Sequence, residues 1–308
     1  MSKIEWCDIT LNPIVGCSKC SPGCDNCYAE KFATRLAKNQ ATAKKYAGVV
    51  DEKGWTGQFS QPSLADFKKL PKSPRRVFIG SMTDIFHDEI VKGGEYHKTW
   101  LPMLFDAMFN YPQHTFLLLT KRPENMKAWI DFTLENCVDK PLPNVWLGVT
   151  VCNQEEADKK IPILQQIPAA ARFISAEPLL SQIDIRKYLQ GDNKLTWVIA
   201  GGETGPKARP MHEVWVKSLR DQCLDAGIPY FFKSWGEWLP CSQFPDDMED
   251  EKYPVGHIYE DGLFLPPPAN NIPWRNINSE DVCKVGKKQS GHLIDGEEYR
   301  QFPEVKNA

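Results

Sequence analysis

Seven short apolar runs rich in β-forming residues recur along this chain, and stretches with helical spacing separate them. That alternation limits the fold more than any other feature. The runs are Asp8–Asn12, Arg76–Gly80, Thr115–Thr120, Asn144–Val151, Arg172–Ala176, Thr196–Gly201 and Pro229–Lys233. Between them the spacing predicts helices over Asn26–Lys38, Tyr96–Phe109, Pro123–Glu135, Gln154–Ile167 and Glu213–Ala226, with a shorter crossover at Gln182–Gln190. Phe116-Leu117-Leu118-Leu119 and Trp197-Val198-Ile199-Ala200 have no polar face, which suits parallel strands covered on both sides. Repeated βα units of this kind predict an α/β fold, a partial or complete TIM-type (β/α) barrel of parallel strands. A nucleotide-binding half-sheet is disfavoured, since no G-x-G-x-x-G follows the first strand and no Walker A loop occurs. The barrel is expected over residues 1–238, with a cysteine loop at 16–28. Residues 239–308 read as an irregular extension or lid packed on it, because 246–251 is acidic and 265–271 is proline-rich with little periodicity. Gln40–Ser63 is likewise polar and loop-like.

The cysteine loop carries the strongest chemical signal. In Gly16-Cys17-Ser18-Lys19-Cys20-Ser21-Pro22-Gly23-Cys24-Asp25-Asn26-Cys27-Tyr28, four thiols share one turn-rich segment. Thiolate-only sites select iron–sulfur clusters or zinc. Cys20, Cys24 and Cys27 read C-x3-C-x2-C, the spacing of radical S-adenosylmethionine (SAM) enzymes, in which three thiolates leave one iron of a 4Fe–4S cluster open for a cofactor. A four-thiolate zinc knot is the alternative, although zinc knuckles are usually joined by roughly a dozen residues or more. Disulfides are the other reading of ten cysteines, but Cys7, Cys137, Cys152, Cys223, Cys241 and Cys283 are scattered like ordinary buried thiols.

Composition narrows the class. Hydrophobic residues at 42% and charged residues at 25% are ordinary for a soluble globular protein. A net charge of −3 excludes a global basic field. No apolar run approaches the length of a membrane span and no signal peptide is read, so the expected location is cytoplasmic with no membrane partner.

Polar residues collect where each strand should end. The second strand leads into Ser81-Met82-Thr83-Asp84 and His87, the third into Thr120-Lys121-Arg122-Pro123, and the fourth into Thr150 and Asn153. Ser175-Ala176-Glu177-Pro178 follows the fifth, Gly201-Gly202-Glu203-Thr204-Gly205 the sixth, and Lys233-Ser234-Trp235 the seventh. In (β/α) barrels the site is built from these loops, so one mouth is expected to collect them. Taken alone, an acidic residue such as Asp84 or Glu177 is nearly as well explained by a helix cap or a barrel ion pair, and Lys121-Arg122 by a solvated charge pair. Lys121, Arg122, Arg209 and Lys233 are the candidate substrate residues; Lys207 also lies in or beside a loop after a strand, and Lys287 and Lys288 lie in a C-terminal Gly-Lys-Lys turn. Arginine suits bidentate phosphate recognition and lysine supplies a compact charge. With Trp235 and Trp238 for stacking, a nucleotide or single-stranded nucleic acid would fit.

Several blocks together resemble a known family. They are Asn12-Pro13, Gly16-Cys17, Ser21-Pro22-Gly23-Cys24, Asn26-Cys27-Tyr28-Ala29-Glu30, Ser81-Met82-Thr83-Asp84-Ile85-Phe86-His87, Leu119-Thr120-Lys121-Arg122-Pro123, Ser175-Ala176-Glu177-Pro178-Leu179, Gly201-Gly202-Glu203-Thr204-Gly205 and Phe231-Phe232-Lys233-Ser234-Trp235-Gly236. Spread over nearly the whole chain, they are similar to the phage gene-product thirty-seven/sixty-eight family, a domain of unknown function that looks like a divergent radical SAM branch. The resemblance implies a partial barrel, a 4Fe–4S cluster, SAM and a reductant of flavodoxin or ferredoxin type. It also implies a C-x6-C-x2-C ligand set, here Cys17, Cys24 and Cys27, with Cys20 as the alternative ligand. The chain departs from the family at Leu11, often Trp, and at Gly291-His292, often Gly-Arg. On this reading Ser81, Thr83 and Asp84 stand where the SAM-amine motif lies in related barrels, and Glu177 is a second ribose or ammonium contact. In Gly201-Gly202-Glu203, a further candidate cofactor-binding group, the glycines would let the backbone approach adenine or substrate. The expected function is a radical SAM-type enzyme acting on an unidentified, phosphate-bearing substrate. A zinc-stapled nucleic-acid-binding protein is the rival, and an iron–sulfur electron carrier the third reading.

Overall fold

The computed structural model describes residues 4–93, 96–136, 139–245, 252–267 and 277–304. All seven expected strands form: β1 Ile9–Leu11, β2 Arg76–Ile79, β3 Thr115–Thr120, β4 Val145–Thr150, β5 Ala171–Ala176, β6 Trp197–Ala200 and β7 Tyr230–Phe232. They make one seven-stranded sheet whose spatial order follows the chain from β1 to β7 without reversal. Parallel ladders join β1 to β2, β2 to β3, β3 to β4 and β6 to β7. Every residue of β4, β5 and β6 is buried, so the runs without a polar face are strands covered on both sides. An unreversed order is the wrapping pattern of βα units, with no switch point of the doubly wound kind. No ladder between β7 and β1 closes the sheet among the described residues. The fold is mixed α/β.

The helices are α1 Tyr28–Ala37, α2 Leu101–Phe109, α3 Pro123–Asn136, α4 Gln154–Gln166 and α5 Glu213–Asp225. A single π turn, Tyr96–Trp100, leads into α2, so the helix expected from Tyr96 changes type before Leu101. The crossover expected at Gln182–Gln190 yields only the 3-10 turn Arg186–Tyr188. Its backbone is satisfied from outside instead: Gln222 of α5 accepts from Ile185 N (2.7 Å) and donates to Ile183 O (3.0 Å).

Two regions differ from expectation. Gln40–Ser63 holds a short helix, Ala43–Tyr46, and a hairpin of Val50–Asp51 with Gly54–Trp55. Tyr46 and Val49 are buried against Val15, Ala29 and Ala33, and these apolar anchors fix a segment that is polar on average. The region after residue 238 is not irregular throughout. It contains β8 Leu239–Pro240, β9 Val255–Tyr259, β10 Phe264–Leu265 and β11 Ser279–Cys283, antiparallel in the order β8-β11-β9-β10. These strands are short and far apart in sequence, so their pairing leaves little periodic trace. The acidic run at 246–251, residues 268–271 and Cys137 lie outside the described residues.

The chain divides into two compact units, one of Met1–Thr150 with Pro162–Phe173, the other of Val151–Ile161 with Ile174–Asn307. The cysteine loop and β1–β4 belong to the first. Strands β6 and β7 and the antiparallel sheet belong to the second. There, residues after the antiparallel sheet return to the edge of β7, where Phe232 N donates to Tyr299 O (2.7 Å) and Gln301 N to Tyr230 O (3.0 Å).

Candidate functional site

The cysteine loop leaves β1 through Asn12 and is held along its length by residues that follow β2. The Asn12 side chain exchanges hydrogen bonds with Ser81 Oγ (3.1 and 3.2 Å) and accepts from Met82 N (3.0 Å). Thr83 Oγ1 donates to Gly16 O (2.6 Å), and Gly16 N donates to Met82 O (3.2 Å). Gly16 has a φ of 131°, and a Cβ there would lie 2.3 Å from Gln58 O, so only glycine fits where the loop begins. At the far end, Tyr28 Oη donates to Ser81 O (3.0 Å). Lys19 pairs with Glu30 of α1 at 3.0 Å, and Glu30 also accepts from Trp55 N (3.0 Å) in the hairpin.

Asp84 lies at the centre. Its carboxylate is buried and accepts from Thr120 Oγ1 (2.7 Å), Phe86 N (3.0 Å), Lys121 N (3.0 Å) and Arg122 Nη1 (3.2 Å). An ionised carboxylate has about four acceptor positions, and these donors use that capacity. Arg122 is itself buried and reaches into the cysteine loop, where its Nη2 donates to Ser18 O (3.1 Å) and Ser18 Oγ (3.0 Å). His87 meets the same hydroxyl. Its Nδ1 accepts from Glu89 N (3.2 Å), which leaves the proton on Nε2, 2.6 Å from Ser18 Oγ. Burial, with Arg122 beside it, lowers the His87 pKa and favours this neutral form. Ser18, between the first two thiols, is thus fastened by a cation and an imidazole that Asp84 and a short helix at Asp88–Val91 hold in place.

The thiols sit in this framework with unequal character. Burial, reinforced by Asp84, pushes the Cys17 thiol up to about 12, against the pull of Arg122 and Lys121. Cys20 and Cys24 share a hydrogen bond that holds Cys24 as the thiolate side of the pair and raises Cys20. Lys121 adds to the lowering at Cys24. Cys27 caps the start of α1, and its carbonyl accepts from Lys31 N (3.4 Å). Among the described residues, no three His, Cys, Asp or Glu side chains close into a group that could hold a metal ion. The donor set nevertheless has the composition of a thiolate-held iron–sulfur or zinc centre, with two cations beside it to offset the sulfur charge.

The second unit treats its predicted residues differently. Glu177 and Lys233 form an ion pair with each other. Glu203 is buried and gripped by Arg209, whose backbone N (2.8 Å), Nε (3.0 Å) and Nη2 (2.6 Å) all donate to it. The glycines serve the protein's own backbone: a Cβ on Gly202 would lie 1.9 Å from Trp235 O, and one on Gly201 3.3 Å from Lys233 Cβ. The expected stacking tryptophans are buried, with Trp235 Nε1 donating to Leu293 O (2.8 Å) and Trp238 Nε1 to Ala208 O (2.7 Å).

The structure therefore gathers Ser81, Thr83, Asp84, Lys121 and Arg122 around Cys17, Cys20, Cys24 and Cys27. Ser81 and Thr83 bond to the loop and its approach, Asp84 bonds to Arg122 and the end of β3, and Arg122 bonds to Asp84 and Ser18. Sequence reasoning missed Ser18 and the bracing roles of Asn12 and Glu30. Asn12 and Glu30 stood in the motif blocks and Ser18 only in the cysteine loop between them, and a spacing pattern does not reveal which side chains meet.

Comparison with known proteins adds a family without a function. A family model described as "Protein of unknown function (DUF5131)" matches residues 1–303. No curated protein and no solved structure gives a significant match. The match spans nearly the whole chain, strands, cysteine loop and C-terminal sheet included, and the protein belongs to the DUF5131 family.

Proposed function

We propose that this protein is a radical SAM-type enzyme whose 4Fe–4S cluster is held by Cys17, Cys24 and Cys27, with Cys20 as the alternative ligand, on a partial (β/α) barrel. The observation that carries the reading is the loop itself: its thiols share one turn-rich segment, and a buried cation and an imidazole fasten Ser18 between two of them. The motif blocks' resemblance to the phage gene-product thirty-seven/sixty-eight family supports it. The chemistry such a cluster supplies when bound is one-electron cleavage of the sulfonium carbon–sulfur bond of SAM.

The chain's own residues have definable tasks. Arg122 and Lys121 place positive charge beside the sulfurs, and this favours thiolates. Asp84 holds Arg122, and His87 shares the fastening of Ser18, so the loop keeps its shape while a ligand binds. Ser81 and Thr83 anchor the loop's entrance. Glu177 stays as the candidate contact for the SAM ammonium or ribose, its ion pair with Lys233 providing an exchangeable partner. A phosphate-bearing substrate, nucleotide or nucleic acid, is the finer part of the proposal and rests on Lys121. A flavodoxin- or ferredoxin-type reductant and a cytoplasmic location complete it.

The test is anaerobic reconstitution with iron and sulfide, followed by dithionite and SAM. Formation of 5′-deoxyadenosine and methionine is the expected result. Colourless protein that takes up zinc through the same thiols and leaves SAM intact would favour the zinc-stapled nucleic-acid-binding alternative.

A further inference from the structure

Far along the chain from the cysteine loop, two other thiols stand together in the second unit. Cys241 Sγ and Cys283 Sγ are 3.4 Å apart. Their placement follows from the ladder. Cys283 lies opposite Leu239 in the β8–β11 pair, and Cys241 follows Leu239 by two residues, so both side chains belong to the same face. Cys241 has just left the strand and begins the 3-10 turn Cys241–Gln243, which lets its sulfur lean across the diagonal. The two thiols are also unequal in access: Cys241 is half-buried and Cys283 fully buried.

We propose that Cys241 and Cys283 are a redox-reactive dithiol that closes to an internal disulfide by exchange with a small-molecule disulfide. The sulfurs need to approach by about 1.4 Å to reach the bonded separation of about 2.05 Å, a movement within rotation of two side chains. The accessible Cys241 thiolate attacks one sulfur of the small disulfide, forming a mixed disulfide and releasing one small thiolate. The Cys283 thiolate then attacks the Cys241 sulfur and expels the second. Two protein thiols are oxidised, one small disulfide is reduced to two thiols, and the protein loses two hydrogens.

The bond would tie a working turn to the sheet. Ser242 Oγ and Gln243 Nε2 of that turn donate to Glu213 Oε2 (2.6 and 3.0 Å), at the first residue of α5, and Gln243 Nε2 also donates to Asp295 Oδ1 (2.8 Å). Oxidation therefore fastens the residues that hold the start of α5 to β11, and reduction releases them to hydrogen bonding alone. This proposal is independent of any cluster.

Purified protein without added iron, titrated with oxidised glutathione and mapped by non-reducing peptide mass spectrometry, tests it. The expected product is a linked pair of peptides containing Cys241 and Cys283, reversed by dithiothreitol, with slower amide exchange at residues 241–243. Cys283→Ser should instead accumulate glutathione on Cys241, the trapped first step. If wild-type Cys241 accumulates glutathione while Cys283 stays reduced, the resolving geometry is wrong. If both thiols remain alkylatable at glutathione levels that oxidise the cysteine loop, the pair is not reactive. Either result overturns the proposal.

Discussion

The two units use charged residues in opposite ways. In the first, Asp84 and Arg122 form a buried pair that does not end in itself: Arg122 reaches Ser18, inside a loop of thiols, through Nη2 and pairs with Asp88 through Nε. In the second, Glu203 pairs with Arg209 and Glu177 with Lys233. Both sets follow strands of the same sheet and look alike in sequence. A buried pair is weak evidence for stability, because desolvation offsets most of the attraction. It gains a purpose when one partner is left pointing at something else. On the function proposed above, this contrast favours the cysteine loop as the functional centre.

The sharpest way to break this comparison is through the thiols. Cys24→Ala and Cys27→Ala should lose nearly all reconstituted iron, and Cys17→Ala likewise, while Cys20→Ala keeps most of it. Iron and sulfide assays after anaerobic desalting report this. Loss from Cys20→Ala with retention by Cys17→Ala would move the ligand set to the C-x3-C-x2-C register.

The next effect is on folding. Asp84→Ala leaves Arg122 charged and buried, and removing one partner of such a pair costs about 3–5 kcal/mol. The urea midpoint should fall accordingly, and reconstituted iron should fall with it because Ser18 loses its support. Asp84→Asn, which keeps an acceptor, should recover part of both. Arg209→Ala should cost less, about 1.5–3 kcal/mol for hydrogen bonds to a charged group, because Arg209 retains 34% side-chain exposure and water reaches the pair. Its iron content should be that of wild type. Equal iron loss in Asp84→Ala and Arg209→Ala would erase the distinction between the units.

A smaller effect distinguishes the second unit by pH. Burial raises the Glu280 carboxyl from its usual 4.5 to about 8, so the folded chain holds a proton there that the unfolded chain releases. Its contribution is full at low pH and is lost as pH rises toward 8. Burial lowers the neighbouring His212 below its usual 6.5, and that contribution runs the other way, growing with pH and complete near 6.5. Between about pH 6.5 and 8 Glu280 lowers stability as pH rises by about 1 kcal/mol or less per pH unit. The lowered Cys24 thiol works in the opposite direction, so the comparison with Glu280→Gln isolates the Glu280 contribution. Denaturant titrations of both proteins across that range check it: wild type should lose stability relative to Glu280→Gln as pH rises.

Much of the scaffold was legible in sequence, for a physical reason. Strands such as Val145–Thr150 are buried on both faces, and a run without a polar face states its own environment. Leu239–Pro240 and Phe264–Leu265 are only two residues each, and partners such as Ser279–Cys283 are distant in sequence, so the antiparallel sheet was read as irregular. At the site, the thiols and the polar strand ends were visible as residue types. Who pairs with whom was not: no spacing shows that Asp84 and Ser18 hold Arg122, or that Trp235 O lies where a side chain on Gly202 would stand.

In the proposed enzyme the braced cysteine loop holds a cluster with a position open to SAM. Electron paramagnetic resonance of the dithionite-reduced, reconstituted protein, with and without SAM, tests this directly. The expected result is a 4Fe–4S signal that changes on adding SAM, in wild type and in Arg209→Ala alike. A cluster signal unmoved by SAM would contradict the open position, and a silent, zinc-loaded protein would contradict the cluster itself.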